Sequence, residues 1–214
     1  MQSFDFHTHD LSSTGIWNLP SDETPNSVGY FSAGLHPWFL EENWKEQLQK
    51  VKTLSKQDNC LAIGECGFDR LRGPSISIQQ AAFEAQAETA EELDIPIILH
   101  CVKAHDLVLA YLKNHKNPPS IIWHGWNLKP HLASQLLEFP VYFSFGKALL
   151  NANSNASNWL KACPSDRIFF ETDDASLGID SIYEAASLIL VRPVENLRKQ
   201  VVENWNQISS RKIK

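Results

Sequence analysis

What the chain lacks narrows its class first. No segment approaches the roughly 20 apolar residues of a membrane span. The opening Met1-Gln2-Ser3-Phe4-Asp5 has neither a basic nor an apolar stretch, so no secretory leader is expected and the cytoplasm is the expected location. Cys60, Cys66, Cys101 and Cys163 show no Cys-x-x-Cys spacing. That disfavours a zinc ribbon and points to reduced thiols rather than a disulfide scaffold. Positive charge is scarce: the formal net charge is −6, and the basic cluster is the tail Arg211-Lys212-Ile213-Lys214. Long-range steering of a nucleic acid is therefore not expected. No Gly-x-Gly-x-x-Gly opens a helix, so the usual mark of a dinucleotide-binding sheet is missing.

What remains is ordinary globular composition, 43% hydrophobic and 21% charged, over 214 residues. This suits one domain over residues 1–214, with no obligate protein partner expected. Apolar runs of strand length recur at 28–35, 60–66, 95–101, 121–126, 141–145 and 168–171. Several are nearly continuous in hydrophobic residues, as parallel strands buried on both faces require. Helical stripes lie between them: Trp44, Leu48, Val51 and Leu54; then Ala82, Phe83, Ala87, Ala90 and Leu93; then Leu107, Val108, Tyr111 and Leu112. A last stripe, Val194, Leu197, Val201, Trp205 and Ile208, follows Pro193, a helix-starting residue.

Strand and helix alternating with short connections means right-handed crossovers and a parallel sheet. The expected fold is an α/β, TIM-like (β/α) barrel of seven to eight parallel strands. An open doubly wound sheet is the alternative. Between residues 10 and 27 no amphipathic helix fits, so the barrel is expected to be trimmed near its N-terminus. Either 14–19 forms a second strand without its helix, or one βα unit is reduced to a loop.

The chemistry sits at the strand ends. In Phe4-Asp5-Phe6-His7-Thr8-His9, period-2 alternation aims both imidazoles into one space, with Asp5 below them. Glu65, His100, His124 and Asp173 then fall near the ends of later strands, where a (β/α) barrel assembles its active site. Imidazole and carboxylate ligands suit Zn²⁺, Mn²⁺ or another divalent ion. Six of them exceed one tetrahedral site and fit two metals about 4 Å apart sharing a carboxylate. Glu65 lies in Gly64-Glu65-Cys66-Gly67, whose glycines would let backbone and metal approach closely. Cys66 and Cys101, one position along, should then face the helices as buried thiols. Taken singly, each site residue has a plainer role: a hydrogen-bonded core histidine, a carboxylate paired with arginine, or Asp173 as a helix cap.

Taken together these segments resemble the TatD family of metal-dependent deoxyribonucleases. They run in family order from residue 5 to about 174: Asp5-Phe6-His7-Thr8-His9, Gly34-Leu35-His36-Pro37, Ile63 through Asp69, Gln79 through Phe83 with Gln86, Pro96 through His100, His124-Gly125-Trp126 and Glu171-Thr172-Asp173. The resemblance implies a metal-dependent hydrolase acting on ester bonds, most simply a deoxyribonuclease whose substrate is single-stranded DNA or a 3′ end. It implies that His7, His9, Glu65 and Asp173 hold one metal, and that Glu65 bridges to a second held by His100 and His124. The two ions would be Zn, Mg or Mn and would lower the pKa of a shared water. Asp173 would be the base, Glu65 a further catalytic residue, and His36 would line the substrate side; a turn role before Pro37 is its alternative.

Two departures bear on substrate. Family members usually carry an arginine two residues after the histidine matching His100; here Val102 stands there, followed by Lys103. After Glu171-Thr172-Asp173 the chain reads Asp174-Ala175-Ser176-Leu177-Gly178 instead of a longer loop with arginine. Lys103, Lys147 and Arg70 remain as phosphate contacts. A polyanion is harder to bind at such a site, which leaves two other readings open: hydrolysis of an amide or an ester such as an aminoacyl ester, or a non-catalytic metal-binding module.

Overall fold

Eight short strands follow one another in chain order: β1 (Asp5–Thr8), β2 (Gly15–Asn18), β3 (Tyr30–Ala33), β4 (Cys60–Asp69), β5 (Ile97–Val102), β6 (Ile121–Trp123), β7 (Val141–Phe145) and β8 (Ile168–Phe170). Each pairs with the next in parallel, giving the sheet order β1 to β8. The computed structural model describes residues 2–20, 23–25 and 29–213. Helices α1 (Trp44–Leu54), α2 (Ile76–Leu93), α3 (His105–Asn114), α4 (Pro130–Ser134), α5 (Asn155–Leu160), α6 (Ile179–Leu190) and α7 (Val194–Ile208) occupy the connections from β3 onward. This is the TIM-like barrel expected, with eight strands.

The sheet closes on itself at the β1–β8 seam. The His9 amide donates to the Asp173 carbonyl (3.1 Å), and the Asp173 amide to the His7 carbonyl (3.0 Å), forming a single parallel bridge. Below it Asp5 accepts from the Thr172 amide (3.1 Å) and hydroxyl (2.6 Å). Asp5 therefore does not join the histidines as a ligand: it latches β1 to the chain beyond β8, and burial pushes its carboxyl up to about 6. Apolar packing seals the same seam. The Phe6 ring lies 4.6 Å from Phe169 and 5.7 Å from Trp205 of α7, all three fully buried.

Trimming falls where the sequence places it. Residues 15–18 form a strand, and no helix occurs among the described residues between it and β3; Ser21, Asp22, Asn26, Ser27 and Val28 lie outside those residues. Several strand ends differ from the apolar runs, with β3 stopping at Ala33 and β5 at Val102. β6 stops at Trp123 rather than 126 because Gly125 turns at φ 59°, and the Gly125 amide donates to Glu171 Oε1 (2.5 Å). β8 stops at Phe170, one residue before Glu171. β4 instead runs three residues past Cys66, to Asp69, because its pairing with β5 continues to Asp69–Val102.

The glycines around Glu65 serve the sheet rather than a metal. A Cβ on Gly34 would meet Gly64 Cα at 2.6 Å, and one on Gly64 would meet the Ile98 carbonyl oxygen at 2.5 Å. Gly64 and Gly67 also hold φ values of 146° and 144°, where L side chains are strained. Strands β3, β4 and β5 thus approach closely on both sides of Glu65 and fix its backbone.

Candidate metal centre

Glu65 is 5% exposed at the C-terminal mouth of the barrel, and its two oxygens face two different sets of histidines. Oε2 lies 3.3 Å from His7 Nε2 and 3.8 Å from His9 Nε2. Oε1 lies 2.7 Å from His100 Nδ1, 2.9 Å from His124 Nε2 and 3.3 Å from His36 Nε2. Asp173 Oδ1 completes the first set, 3.5 Å from His7 Nε2 and 3.6 Å from His9 Nε2. All six residues singled out by spacing converge, and His36 joins them.

Each is placed by its element. His7 is the third residue of β1 and is buried, while His9 stands just past the strand and is 44% exposed. Their rings meet edge to face at 5.4 Å, sharing a side as alternation requires. His100 comes from β5, and His124 from the residue after β6. Asp173 follows β8 in the left-handed region, φ 56°, a conformation aspartate tolerates better than most residues. It caps no helix, since α6 starts at Ile179 behind Gly178.

The electrostatics is that of a cation site. Burial raises the Glu65 carboxyl, but His124, His100 and His36 overcome it and hold it well below the usual range. Burial likewise raises Asp173, yet His7 and His124 hold it at about 2. Burial lowers His7, but Asp173 and Glu65 lift it to about 9; Glu65 and Glu171 lift His124 well above its ordinary value in the same way. The carboxylates thus favour positive charge beside them, whether a proton on His7 or His124 or a cation. The residues fit a metal on a further observation. His7 Nδ1 and Nε2 and His124 Nδ1 are buried with no hydrogen-bond partner, so their lone pairs or protons lack satisfaction without a ligand. Three groups have donor atoms within 4.8 Å of one another: His7, His124 and Asp173; His7, His9 and Glu65; His36, Glu65 and His100.

Several partners went unsingled in the sequence. Asp69 Oδ2 sits 3.3 Å from His100 Nε2 and orients the imidazole whose other nitrogen faces Glu65, whereas Glu171 Oε1 stands 3.6 Å from His124 Nδ1, as a nearby charge rather than a hydrogen-bond partner. Asn18 of β2 accepts from the Glu65 amide at 3.0 Å and donates toward Glu65 Oε2 at 3.5 Å. Asp69 and Glu171 are carboxylates at strand ends, a signal that could have found them; Asn18 carries none. His36 caps the 3₁₀ turn Pro37–Phe39: its Nδ1 accepts from the Trp38 amide at 3.2 Å. With that lone pair engaged, neutral His36 carries its proton on Nε2, and burial holds it neutral by lowering its pKa.

The basic residues fare unevenly. Lys147 lines a cleft of about 330 Å³ beside His100, His124 and Asp173, but its Nζ is paired with Asp174 at 3.0 Å. Lys103 lines neither this cleft nor the larger one of about 710 Å³ that opens from Glu65 past His36 and Trp38. Arg70 is withdrawn to the outside, where it grips Asp106 through both terminal nitrogens (2.5 and 2.7 Å) and donates to the Lys103 carbonyl. Cys66 and Cys101 stand outside the ligand groups. Burial pushes the Cys101 thiol up to about 12 and the Cys66 thiol higher still, so both stay protonated.

Fold and centre together define a (β/α) barrel with a carboxylate-linked histidine cluster at its C-terminal mouth. Residues 17–210 match the family described as TatD related DNase, and the chain belongs to that family. The 3′-5′ ssDNA/RNA exonuclease TatD of Klebsiella pneumoniae is 31% identical over 176 residues, 77% of this chain and 66% of that protein. An uncharacterized metal-dependent hydrolase, YabD of Bacillus subtilis, is 31% identical over 147 residues, 67% of this chain and 58% of that protein. The chain thus spans less than two thirds of the length of these relatives. Among solved structures, YJJV, a TatD homolog from Escherichia coli K12, aligns with a TM-score of 0.71 at 21% identity, over 84% of this chain and 76% of that one. A TatD family hydrolase from Entamoeba histolytica aligns at 0.70 and 16% identity, over 85% and 74%. These two likenesses show the fold. No helix among the described residues is long and apolar enough to cross a membrane.

Proposed function

We propose that the protein is a divalent-metal-dependent nuclease that hydrolyses phosphodiester bonds of single-stranded nucleic acid from a 3′ end. The observation that carries this reading is the division of Glu65, one oxygen toward His7 and His9, the other toward His100 and His124. His7, His9, Glu65 and Asp173 would hold one ion, and Glu65, His100 and His124 a second. When bound, such ions supply Lewis-acid stabilisation of a phosphoryl group and an activated water at neutral pH. The names of relatives such as the Klebsiella enzyme support the substrate class.

The chain's own residues supply the rest. Asp173, ionised beside His7 and His9 with part of its side chain open to the mouth, is placed to accept the proton of the attacking water. His36 presents Nε2–H toward the centre and orients a phosphoryl oxygen; its Nδ1 cap fixes that tautomer and makes it a donor rather than a ligand. Lys147 meets phosphate once substrate displaces Asp174 from it. Asp69 holds the His100 ring in register, and the buried Glu171 carboxylate favours positive charge on His124.

A second reading rests on charge. Lys147 is the one lysine or arginine among the described residues lining the two clefts, and it is already paired. A less charged ester, such as an aminoacyl ester, would suit the same centre. The test is metal analysis of protein purified without chelator, together with digestion of 3′-labelled single-stranded DNA. The nuclease reading expects about two ions per chain and mononucleotide release that stops in EDTA. Bound metal with esterase but no nuclease activity favours the second reading, and absence of metal overturns both.

A further inference from the structure

Two clefts leave the centre in different directions and share His100, His124 and Asp173. Their linings differ in kind. The smaller holds Lys147. The larger holds the aromatic rings of Trp38 and Phe39 and the carboxylates Glu41 and Asp174, with no lysine or arginine among its described lining residues. We propose that the larger cleft is a nucleobase subsite for the terminal nucleoside of the substrate, with Phe39 as its stacking platform, while the continuing phosphate chain leaves past Lys147. This rests on the nuclease reading above and adds which cleft takes which part of the substrate.

Phe39 is 66% exposed, yet its ring stands only 5.5 Å from the His36 ring, whose Nε2 lies 3.3 Å from Glu65. A large apolar ring open to solvent one side chain away from the reacting centre has no packing duty there. Its mount is rigid. The turn that carries it is capped by His36, and neighbouring Trp38 is pinned by a 2.6 Å hydrogen bond from its indole nitrogen to Asp69 and by the Arg72 guanidinium 4.4 Å over its ring. An aromatic surface ordered before binding loses little freedom when a base stacks on it. Charge selects the same occupant. Glu41, and Asp174 once substrate displaces it from Lys147, repel a phosphate but not a neutral base, so the cleft takes a nucleoside that ends the chain rather than one that continues it. Stacking is tolerant of base identity, so no sequence preference is expected at this position.

The test compares kcat/KM of the metal-loaded full chain on single-stranded oligonucleotides whose 3′-terminal nucleoside is normal, abasic or 3′-phosphorylated. Phe39→Ala should lose about 10- to 100-fold on the normal end, mostly through KM, as loss of one stacked base requires. The abasic end should cost the unmodified protein a similar factor and Phe39→Ala almost nothing further, while Phe39→Trp restores the normal rate. The terminal phosphate should slow cleavage in every variant. Full activity of Phe39→Ala, undiminished discrimination against the abasic end in that variant, or indifference to the terminal phosphate overturns the subsite while leaving the nuclease standing. No cleavage of any oligonucleotide by the metal-loaded unmodified protein removes the nuclease reading, and the subsite with it.

Discussion

Asp173 combines three properties that few residues in the barrel share. It lies within 3.6 Å of both His7 and His9, it stays ionised to about pH 2, and it keeps 30% of its side chain open to the mouth. Proximity and negative charge suit Asp173 to a cation, and its open side gives it a path to the substrate's water that a fully buried carboxylate lacks. Asp173→Asn keeps the size and one oxygen but removes the charge. It should leave the fold intact, since the β1–β8 bridge uses the Asp173 backbone, and should lower turnover by at least about 10². Steady-state kinetics with metal content measured on the same preparation makes the check. Near-normal turnover at full metal loading would remove Asp173 from the proton transfer.

At the level of elements, the weak point of the barrel is its seam. Seven strand pairs are laddered, whereas β1 and β8 meet through one bridge, so side chains must finish the closure. Asp5→Ala leaves the buried Thr172 amide without its acceptor, while the hydroxyl keeps Thr8 Oγ1 at 3.0 Å, at a cost of about 1–3 kcal/mol. Urea unfolding should report that loss, and the His9 and Asp173 amides should exchange faster. Unchanged exchange at those two amides would mean that Phe6, Phe169 and Trp205 hold the seam alone.

This seam also marks where the sequence stops being readable. Buried parallel strands announce themselves as apolar runs, and β7 starts and stops where its run does, because burial on both faces is a local property of composition. The six candidate ligand positions, which the structure brings together, were readable for a similar reason: each is a polar residue within or just past an apolar run. The Asp5 latch was not, since Thr172 stands 167 residues away and nothing local distinguishes a ligand carboxylate from one that accepts hydrogen bonds across a seam. Arg70 misled likewise; its position beside the site is visible in the chain, but its commitment to Asp106 is a tertiary fact. The glycines flanking Glu65 were legible as special, though the crowding they relieve comes from β3 and β5.

For the molecule as a whole, charge governs how substrate arrives. With a net charge of −6 and Lys147 the one lysine or arginine among the described cleft-lining residues, binding should release few counterions. The slope of log(kcat/KM) against log salt on single-stranded DNA should therefore be near −0.7, the value for one phosphate contact, and approach zero in Lys147→Met. A slope several times steeper would require a basic surface away from these clefts.

The same balance ties stability to pH and metal. His7 is raised in the folded chain from an ordinary value near 6.5 to about 9, so the proton it holds stabilises the metal-free fold fully below pH 6.5. That contribution is lost as pH rises through 9. At about 1.36 kcal/mol per pH unit, His7 alone accounts for up to about 3 kcal/mol. Chelated protein should then lose stability steadily between pH 6.5 and 9 in urea unfolding. A bound cation takes over the role of the proton, so metal-loaded protein should stay level or gain over the same range. Its metal affinity should climb with pH, with protons released on binding that calorimetry in two buffers of different ionisation enthalpy would count. A chelated protein as stable at pH 9 as at pH 6.5, binding metal without releasing protons, would mean that His7 is already neutral and that Glu65 and Asp173 face each other uncompensated.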